Sequence, residues 1–394
     1  MPGIDAFSAP RRWRRIITLI CLVSFVLIAT VGEALDRGYL VYVGTYTGKG
    51  SEGIYAFRFD PATGESGPVG LAAASDSPSF LEVDPKGRFL YAVNEIDMFH
   101  QEPSGAISAF VIDRESGSLS PLQQVSSLGR GPAHLSLDRS GRYLMVANYN
   151  SGNVAVLPIG NDGRLGPRTA FVQDAGSSVN PVRQAGPHAH FIQVTNDNRF
   201  VLAADLGLDQ LLVYRFEATT GTLTPGSPSF VKVDPGAGPR HVAFAPSGKY
   251  VYLVNEIAST VTVFAYNQGP GTLLRKQTIS TLPERFNGSN TAAEITVDAK
   301  GRFLYVSNRG DDSIAVFRID PDSGSVTPLE RVPSGGKTPR HFAIDPTGTW
   351  LFAANQDSND IKLFRIDPNS GRLMETSQSL TVASPVCVRI VALN

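Results

Sequence analysis

The stretch GPRHVAFAPSGKYVYLVNE, residues 238–256, carries ionisable side chains at both ends. Arg240 and His241 stand near its start, and Glu256 stands at its end. A guanidinium group binds a carboxylate or a phosphate through paired hydrogen bonds, and a neutral histidine or a carboxylate can act as a general base. If these side chains meet in space, they predict a site for a small anion with acid–base chemistry beside it.

The residues between them indicate a hairpin that recurs along the chain. Each copy has an alternating apolar strand, a turn of the D-P-x-G-R type, and a second apolar strand that ends in Asn or Asp. A third alternating strand, a glycine-containing turn and a short fourth strand follow. The second strands end at Asn94, Asn148, Asp205, Asn255, Asn308 and Asn355. Repeats of four strands without a helical pattern are typical of propeller blades.

Six copies lie inside the chain, and its two ends predict a seventh. The C-terminal SPVCVRIVAL, residues 384–393, supplies a first strand, and the N-terminal stretch that begins YLVYVG at Tyr39 supplies the other three. The predicted fold is therefore all-β: a seven-bladed β-propeller with four antiparallel strands in each blade. Pairing of the N- and C-terminal strands closes the ring and hides the last sheet edges. The third copy departs most from the pattern, since TNDNR replaces the turn.

This architecture predicts where the ionisable side chains lie. The first strand of a propeller blade lines the central channel, and the second runs antiparallel beside it, so the start of one and the end of the other share one mouth. Candidate binding or catalytic residues at starts of first strands are His134, His188, His190, Arg240, His241 and Arg340. The ends of second strands add Glu95, Glu256, Arg309 and Gln356.

The variation between copies separates functional from structural candidates. A scaffold role favours the same residue in every blade, whereas a site needs different groups that converge. Arg240, Glu256, Arg309 and the pair His188 and His190 differ from blade to blade and are predicted to be functional. His134 and His341, which also stands at the start of a first strand, repeat a P-x-H pattern, which favours a structural role for both.

Composition and missing motifs exclude several classes of function. The net charge of −1 gives no reason to expect a nucleic-acid partner. Two cysteines cannot build a disulfide framework or a cysteine-rich zinc site. Neither G-x-S-x-G nor H-E-x-x-H occurs, so no serine-hydrolase elbow, metal or other cofactor is predicted.

The chain from about Tyr39 to its end resembles the lactonase family of seven-bladed propellers. That family includes the propeller-type 6-phosphogluconolactonases and the carboxy-muconate cyclases. The resemblance is carried by YVGTYTGKGSEGIYAF, by GPRH followed by VNE, and by the turns DPKGRFLYAVNE and DAKGRFLYVSNR.

The resemblance implies an active centre of a His, a Glu and several Arg at one mouth, without a metal. Arg240 and Glu256 match this centre in GPRH and VNE, and Arg309 matches an Arg after the fifth copy's second strand. The family's His falls in GPHAH, where His188 matches best and His190 competes.

The implied activity is hydrolysis of a small anionic sugar lactone. Glu256 or His188 would serve as the base. Arg240 would assist catalysis, and His134, His190, His241, Arg309 and Arg340 would bind the substrate. Two alternatives stay open, namely a non-catalytic exported propeller that binds a ligand or a protein, and a muconate-type cyclase or isomerase.

The N-terminus predicts export. Residues 11–34 read RRWRRIITLICLVSFVLIATVGEA, in which four arginines precede an apolar run and small residues follow. This order is typical of a secretory signal peptide, and an uncleaved membrane anchor is the alternative. Residues 1–34 are thus predicted to be a signal peptide or a membrane anchor. No other part of the chain is predicted to contact a membrane. Residues 35–394 are predicted to form one propeller domain that lies in the periplasm, in the cell envelope or outside the cell.

Overall fold

The computed structural model describes residues 38–48 and 50–393, and all of its regular elements are β-strands. The predicted signal or anchor segment, residues 1–34, lies outside the described residues. Within the described part, no helix is long and apolar enough to cross a membrane.

Seven sheets of four antiparallel strands confirm the predicted propeller. Blade 1 contains β1 (Tyr39–Thr45), β2 (Gly53–Phe59), β3 (Gly70–Ala74) and the C-terminal β28 (Pro385–Ala392). Blade 2 contains β4 (Leu81–Val83), β5 (Phe89–Asn94), β6 (Ala106–Ile112) and β7 (Leu119–Ser126), and blade 3 contains β8 (Pro132–Leu137), β9 (Tyr143–Asn148), β10 (Asn153–Pro158) and β11 (Ala170–Gln173). Blade 4 contains β12 (Ala189–Val194), β13 (Phe200–Asp205), β14 (Gln210–Glu217) and β15 (Thr222–Lys232), and blade 5 contains β16 (Pro239–Phe244), β17 (Tyr250–Asn255), β18 (Thr260–Asn267) and β19 (Thr272–Ser280). Blade 6 contains β20 (Thr291–Val297), β21 (Phe303–Arg309), β22 (Ser313–Ile319) and β23 (Val326–Pro333), and blade 7 contains β24 (Pro339–Ile344), β25 (Trp350–Asn355), β26 (Asp360–Ile366) and β27 (Leu373–Thr381).

The two ends of the chain close the ring, as predicted. Strand β28 pairs with β1 from Tyr39 opposite Ala392 to Thr45 opposite Pro385, and β2 and β3 complete the sheet. The first strands of neighbouring blades contact one another around the whole circle. Apolar side chains between neighbouring sheets form the core, for example Val41 and Phe59 of blade 1 against Trp350 and Phe352 of blade 7.

The D-P-x-G-R turn holds the first two strands of a blade together. In blade 2, the Asp84 carboxylate accepts hydrogen bonds from the backbone N–H groups of Arg88 and Phe89. The divergent turn of blade 4 reaches the same shape by other means. Thr195 Oγ1 accepts the N–H of Phe200, and Asn198 adopts the left-handed conformation with a φ of 59°. Asn tolerates this region better than most residues, so the exception fits the fold.

A contact between blades repeats almost all the way round. In six blades, the glycine in the turn before the fourth strand packs against the aromatic ring that begins the second strand of the preceding blade. These pairs are Gly64 with Trp350, Gly163 with Phe89, Gly221 with Tyr143, Gly271 with Phe200, Gly324 with Tyr250 and Gly371 with Phe303. At the seventh junction, Gly117 approaches Leu40 instead. The approach is so close that a side chain on the glycine has no room.

In several blades, the Asn that ends the second strand donates a hydrogen bond to the link that connects two blades at one mouth. Asn94 donates to the backbone carbonyl of Asp76, Asn148 to that of Ser127, and Asn355 to that of Ser334. Asn255 instead donates to the hydroxyls of Thr260 and Thr262 in β18, and Glu256 follows it at the same mouth.

We expect Gly271→Ala to destabilise the protein more than Gly348→Ala. Both glycines have positive φ, 74° and 72°, so either alanine costs about 1–2 kcal/mol of backbone strain. A Cβ at residue 271 would also lie 2.3 Å from the Phe200 ring, which adds about 1–3 kcal/mol, whereas a Cβ at residue 348 meets nothing within 4 Å. Urea unfolding measures both variants, and equal losses would contradict the proposed packing role.

Candidate active site

Glu256 stands at the centre of one mouth and pairs with three arginines. Its Oε1 lies 2.5 Å from Nη2 of Arg183, and its Oε2 lies 2.8 Å from Nη2 of Arg309 and 3.0 Å from Nε of Arg240. The Nε–H of Arg240 is not aligned for a hydrogen bond, so this third contact is an ion pair only. The glutamate is 4% exposed. Arg240, Arg309 and Glu256, which the sequence predicted to converge, do so.

A β-bulge lets Arg240 reach the site. In β16, Pro239 pairs with Asn255 and His241 pairs with Val254, so Arg240 is an extra residue in the register. A bulge re-aims a side chain that strict alternation would send to the other face. Arg240 and His241 therefore both contact groups of the channel despite being adjacent. The backbone N–H of Glu256 donates to Gly238 O at 2.6 Å, which closes the hairpin at this mouth.

The three arginines determine the charge state of Glu256. Burial by itself would raise the pKa of this carboxyl, but Arg309, Arg240 and Arg183 outweigh burial and lower the pKa to about 2. Burial, together with Arg309 and Arg340, lowers the pKa of Arg240 to about 9, so its guanidinium stays charged at neutral pH. Glu256 is thus an ionised group that holds cations in place, and its low pKa makes it a weak base.

Sequence reasoning missed Arg183. It belongs to the link 174–188 between blades 3 and 4, and its Nη2 donates to Tyr149 OH at 3.2 Å as well as to Glu256. The other links between the outer strand of one blade and the inner strand of the next span 3 to 10 residues, whereas this one spans 15. The extra length in the third repeat was the available signal, because such links pass over this mouth.

His188 lies in the same link, beside the arginines. Its ring stacks on Tyr149 with centroids 4.5 Å apart, and its Nδ1 lies 2.9 Å from the Tyr149 carbonyl oxygen. A carbonyl oxygen only accepts hydrogen bonds, so Nδ1 must carry the proton. In the neutral ring, Nε2 is then the nitrogen with a lone pair, as a general base requires.

His190 occupies the bulge position of β12, equivalent to Arg240, and is 4% exposed. Its ring lies edge-on to Tyr149 and to His241, at 5.4 and 5.1 Å between centroids. Burial, followed by the nearby Arg240 and His241, lowers its pKa well below the usual range. His190 is therefore neutral, and its Nδ1 has no hydrogen-bond partner within the described structure.

Arg340 faces the other side of the mouth. Its guanidinium lies over the Tyr46 ring, 5.2 Å from the centroid. The Tyr46 hydroxyl donates to the carboxylate of Glu95 at 2.9 Å, and Ser79 also donates to Glu95. Glu95 is thus tied into this mouth.

His134 and His241 lie one layer deeper than the arginines. The equivalent residues of six first strands form this layer, Phe80, His134, Phe191, His241, Glu294 and His341, with ring centroids 4.2 to 5.8 Å apart where they touch. His241 Nδ1 lies 3.1 Å from Glu294 Oε2, and His134 Nδ1 accepts the N–H of Ile192. The predicted substrate-binding role of these two histidines stays untested, and both occupy a packed layer.

Little free space separates that layer from the arginines. The cavity among Arg240, Arg340, Glu95 and His341 has a volume of about 10 Å³, enough for about one water molecule. A sugar-sized ligand at this mouth would have to lie above this cavity, at the level of Arg183 and His188. A larger cavity of about 300 Å³ is lined by His134, His241 and Glu294 of the deeper layer. A cavity of about 730 Å³ between blades 1 and 2 has mainly apolar walls and lies against Leu40 and Leu71, away from these groups.

Among the described residues, no group of three or more His, Cys, Asp or Glu is placed to hold a metal ion. The charged side chains gathered around Glu256 and Glu95 are instead four guanidiniums, those of Arg183, Arg240, Arg309 and Arg340, and the two carboxylates themselves. Such a set suits an anionic organic molecule, because arginines bind carboxylates and phosphates by charge-assisted hydrogen bonds.

Two buried aspartates anchor the link that carries His188. Asp205 Oδ1 accepts the backbone N–H groups of His188 and Leu208, and Asp174 Oδ1 accepts Tyr214 OH at 3.3 Å. The Oδ2 atoms of both aspartates have no hydrogen-bond partner among the described residues, so we expect one of the two carboxyls to hold a proton. Burial, and for Asp174 also the neighbouring Asp205, raises both pKa values above the usual range.

Comparisons with known proteins agree with this architecture. Residues 40–390 match the family described as "Lactonase, 7-bladed beta-propeller". A 6-phosphogluconolactonase of Bacillus subtilis is 38% identical over 76% of this chain and 82% of its own length. A 6-phosphogluconolactonase of Formosa agariphila is 32% identical over 75% of this chain and 83% of its own. The structure of a periplasmic gluconolactonase of Pseudomonas aeruginosa, 38% identical, superposes with a TM-score of 0.85 over 91% of this chain and 100% of its own.

We expect Glu256→Gln to lower the free energy of unfolding at neutral pH by about 3 kcal/mol, because it leaves buried guanidiniums without their counter-charge. The folded-state pKa of Glu256 is lowered to about 2, so its stabilising effect is full above the unfolded pKa. The effect disappears as the pH falls towards 2. Denaturant unfolding at pH 7 measures the loss, with the exposed Glu217→Gln as control. A loss no larger than that of the control would contradict the role of Glu256 as an anchor.

Asp174→Asn should flatten the pH dependence of stability above the usual pKa of an aspartate. The folded protein holds a proton on this pair that the unfolded chain releases, so wild-type stability falls as the pH rises towards the raised pKa. An asparagine amide can donate to Asp205 at every pH, which removes this fall. Urea midpoints between pH 5 and 9 provide the test, beside the exposed Asp322→Asn. Parallel curves for wild type and Asp174→Asn would rule out this proton.

Proposed function

We propose that this chain, which belongs to the lactonase family of seven-bladed β-propellers, hydrolyses a small anionic sugar lactone at the mouth centred on Glu256. Two relatives at 38 and 32% identity are named 6-phosphogluconolactonase, and the superposed Pseudomonas protein is named a gluconolactonase. These names support lactone hydrolysis as the reaction. The substrate class comes from the charges of the mouth.

The excess of positive charge is the observation that carries the proposal. The four arginines outnumber the two glutamates, and the lowered pKa of His190 keeps that ring neutral, so the group has a net charge of +2 (4 − 2). A phosphate monoester carries about −1.5 to −2 at neutral pH, and a carboxylate carries −1. An anionic lactone therefore balances the site better than an uncharged one.

His188 is the base in this proposal, and it activates a water molecule. The water oxygen forms a bond to the lactone carbonyl carbon while its proton passes to His188 Nε2. The carbonyl electrons move onto oxygen, where the guanidinium groups of Arg240 and Arg340, which line the small cavity below the mouth, stabilise the negative charge. When the bond to the ring oxygen breaks, His188 returns the proton to that oxygen, which becomes a hydroxyl group.

Glu256 supports the reaction without accepting the proton. The sequence left Glu256 and His188 as alternative bases, and the pKa of about 2 favours His188. In the proposal, the carboxylate of Glu256 keeps Arg183, Arg240 and Arg309 together against their mutual repulsion. No metal takes part, so treatment with a chelator should leave the activity unchanged.

The proposed place of action is outside the cytoplasm. In residues 11–34, four arginines precede an apolar run, and this order supports export. The similar Pseudomonas protein is named periplasmic. An exported enzyme would meet carboxylate-bearing sugar lactones more readily than a phosphorylated intermediate of cytoplasmic metabolism. We therefore keep the proposed substrate class at anionic sugar lactones.

His188→Gln is expected to lower kcat for lactone hydrolysis roughly a hundredfold to ten-thousandfold, the usual contribution of a general base. The amide of glutamine can still donate to the Tyr149 carbonyl oxygen but does not accept a proton near neutral pH. His100→Gln, on an exposed histidine whose ring packs on Phe99, is the matched control.

Proton release at constant pH measures the rate with purified protein. A variant rate equal to that of wild type would remove His188 from the mechanism. A wild-type rate no faster than buffer on every lactone would favour the non-catalytic propeller. Lactone formation from a muconate by the wild type would favour the cyclase.

A further inference from the structure

Arg183 differs from the other two arginines of Glu256 in its accessibility. Its side chain is 38% exposed, whereas those of Arg309 and Arg240 are 12% and 3% exposed. A ligand that arrives from solvent therefore meets the guanidinium of Arg183 first. The cavity below has a volume of only about 10 Å³, so a sugar that uses this mouth would have to lie at the level of Arg183.

The hydrogen bonds of Arg183 leave donors for a ligand. Its contacts with Glu256 and Tyr149 both use Nη2. A guanidinium has five N–H donors, so those on Nε and Nη1 can bind a carboxylate or a phosphate while the existing contacts persist. Because Glu256 is shared with Arg240 and Arg309, an added anion would offset the surplus positive charge around Glu256.

The link 174–188 holds Arg183 in place before any ligand binds. Asn180 Oδ1 accepts the backbone N–H groups of Val182 and Arg183. Gln184, which is fully buried, donates to the Leu206 carbonyl oxygen, and Ser178 donates to Asp209. A residue held in this way loses little conformational entropy on binding, which favours affinity.

Tyr149 sets the spacing between Arg183 and the proposed base. Its hydroxyl accepts from Arg183, and its ring stacks on His188. An anion on Arg183 and a lactone carbonyl at His188 are therefore separated by about one tyrosine ring. In a six-membered hexose lactone, the C6 substituent and the carbonyl carbon lie on the two sides of the ring oxygen, which suits this separation.

We propose that Arg183 binds the anionic group of the substrate and makes the enzyme selective for charged over neutral sugar lactones. The inference rests on the proposed lactonase function and names the residue that sets its specificity. The anionic group is a phosphate or a carboxylate at C6, across the ring oxygen from the carbonyl.

Three lactones test this selectivity and separate the two anions: neutral glucono-1,5-lactone, its 6-phosphate, and a glucarolactone with a carboxylate at C6. Arg183→Gln should lower kcat/KM roughly tenfold to a hundredfold for the preferred charged lactone, mainly through KM, and less than about threefold for the neutral one. Arg183→Lys should fall between, because lysine keeps the charge but not the planar fork. Arg130→Gln, on an exposed arginine in another link at this mouth, should leave kcat/KM unchanged for both the charged and the neutral lactone.

Two kinetic outcomes would overturn the proposal. An equal loss on neutral and charged lactones would mean that Arg183 only positions Glu256. No loss on any lactone would mean that it does not contact the substrate.

A binding measurement separates failure of this inference from failure of the proposed function. If the wild type hydrolyses no lactone, calorimetry with gluconate, 6-phosphogluconate and glucarate still tests Arg183. All three acids carry the C1 carboxylate, and only 6-phosphogluconate and glucarate carry a second anionic group at C6. A preference of tenfold or more for one of these two over gluconate, lost in Arg183→Gln, supports the subsite without the reaction. Equal wild-type affinity for all three acids would overturn the inference.

Discussion

The site depends on one buried carboxylate that holds three guanidinium groups together. Glu256 and Arg240 come from blade 5, Arg309 ends a strand of blade 6, and Arg183 arrives from the link between blades 3 and 4. Without the carboxylate, the arginines would repel one another at a place where burial already weakens the hydration of each charge. With it, the mouth keeps a positive surplus in a fixed geometry, which is what recognition of an anion needs.

The scaffold tolerates such a charged mouth because its stability comes from elsewhere. The sheets pack through apolar faces between the blades, and the repeated contact of a turn glycine with an aromatic ring joins neighbouring blades. The pairing of β28 with β1 completes the sheet of blade 1 and so closes the ring. Residues at the mouth can therefore differ from blade to blade while the ring remains the same.

A bulge shared by the first strands of blades 3, 4, 5 and 7, together with one long link, positions residues of the candidate site. The bulge in β16 aims Arg240 at Glu256 while His241 joins the layer below, and the same bulge in β12 buries His190. The long link before β12 supplies Arg183 and His188 on a framework held by Asn180, Gln184 and Asp205. Regular strands build the fold and hold Glu256 and Arg309, whereas the bulge and the long link bring Arg240, Arg183 and His188 to the same mouth.

The sequence by itself determined the seven blades, the closure by both termini and the mouth at which Arg240, Glu256 and Arg309 meet. Strand alternation and turn chemistry repeat with a readable period, and antiparallel pairing makes the ends of a hairpin neighbours. Only the tertiary structure decided that Arg183 joins them, that Tyr149 lies against both His188 and His190, and that His134 and His241 lie deeper. A bulge adds one residue and breaks the period of two, and an irregular link has no period at all, so the positions of these side chains follow from packing and hydrogen bonds that no local pattern encodes.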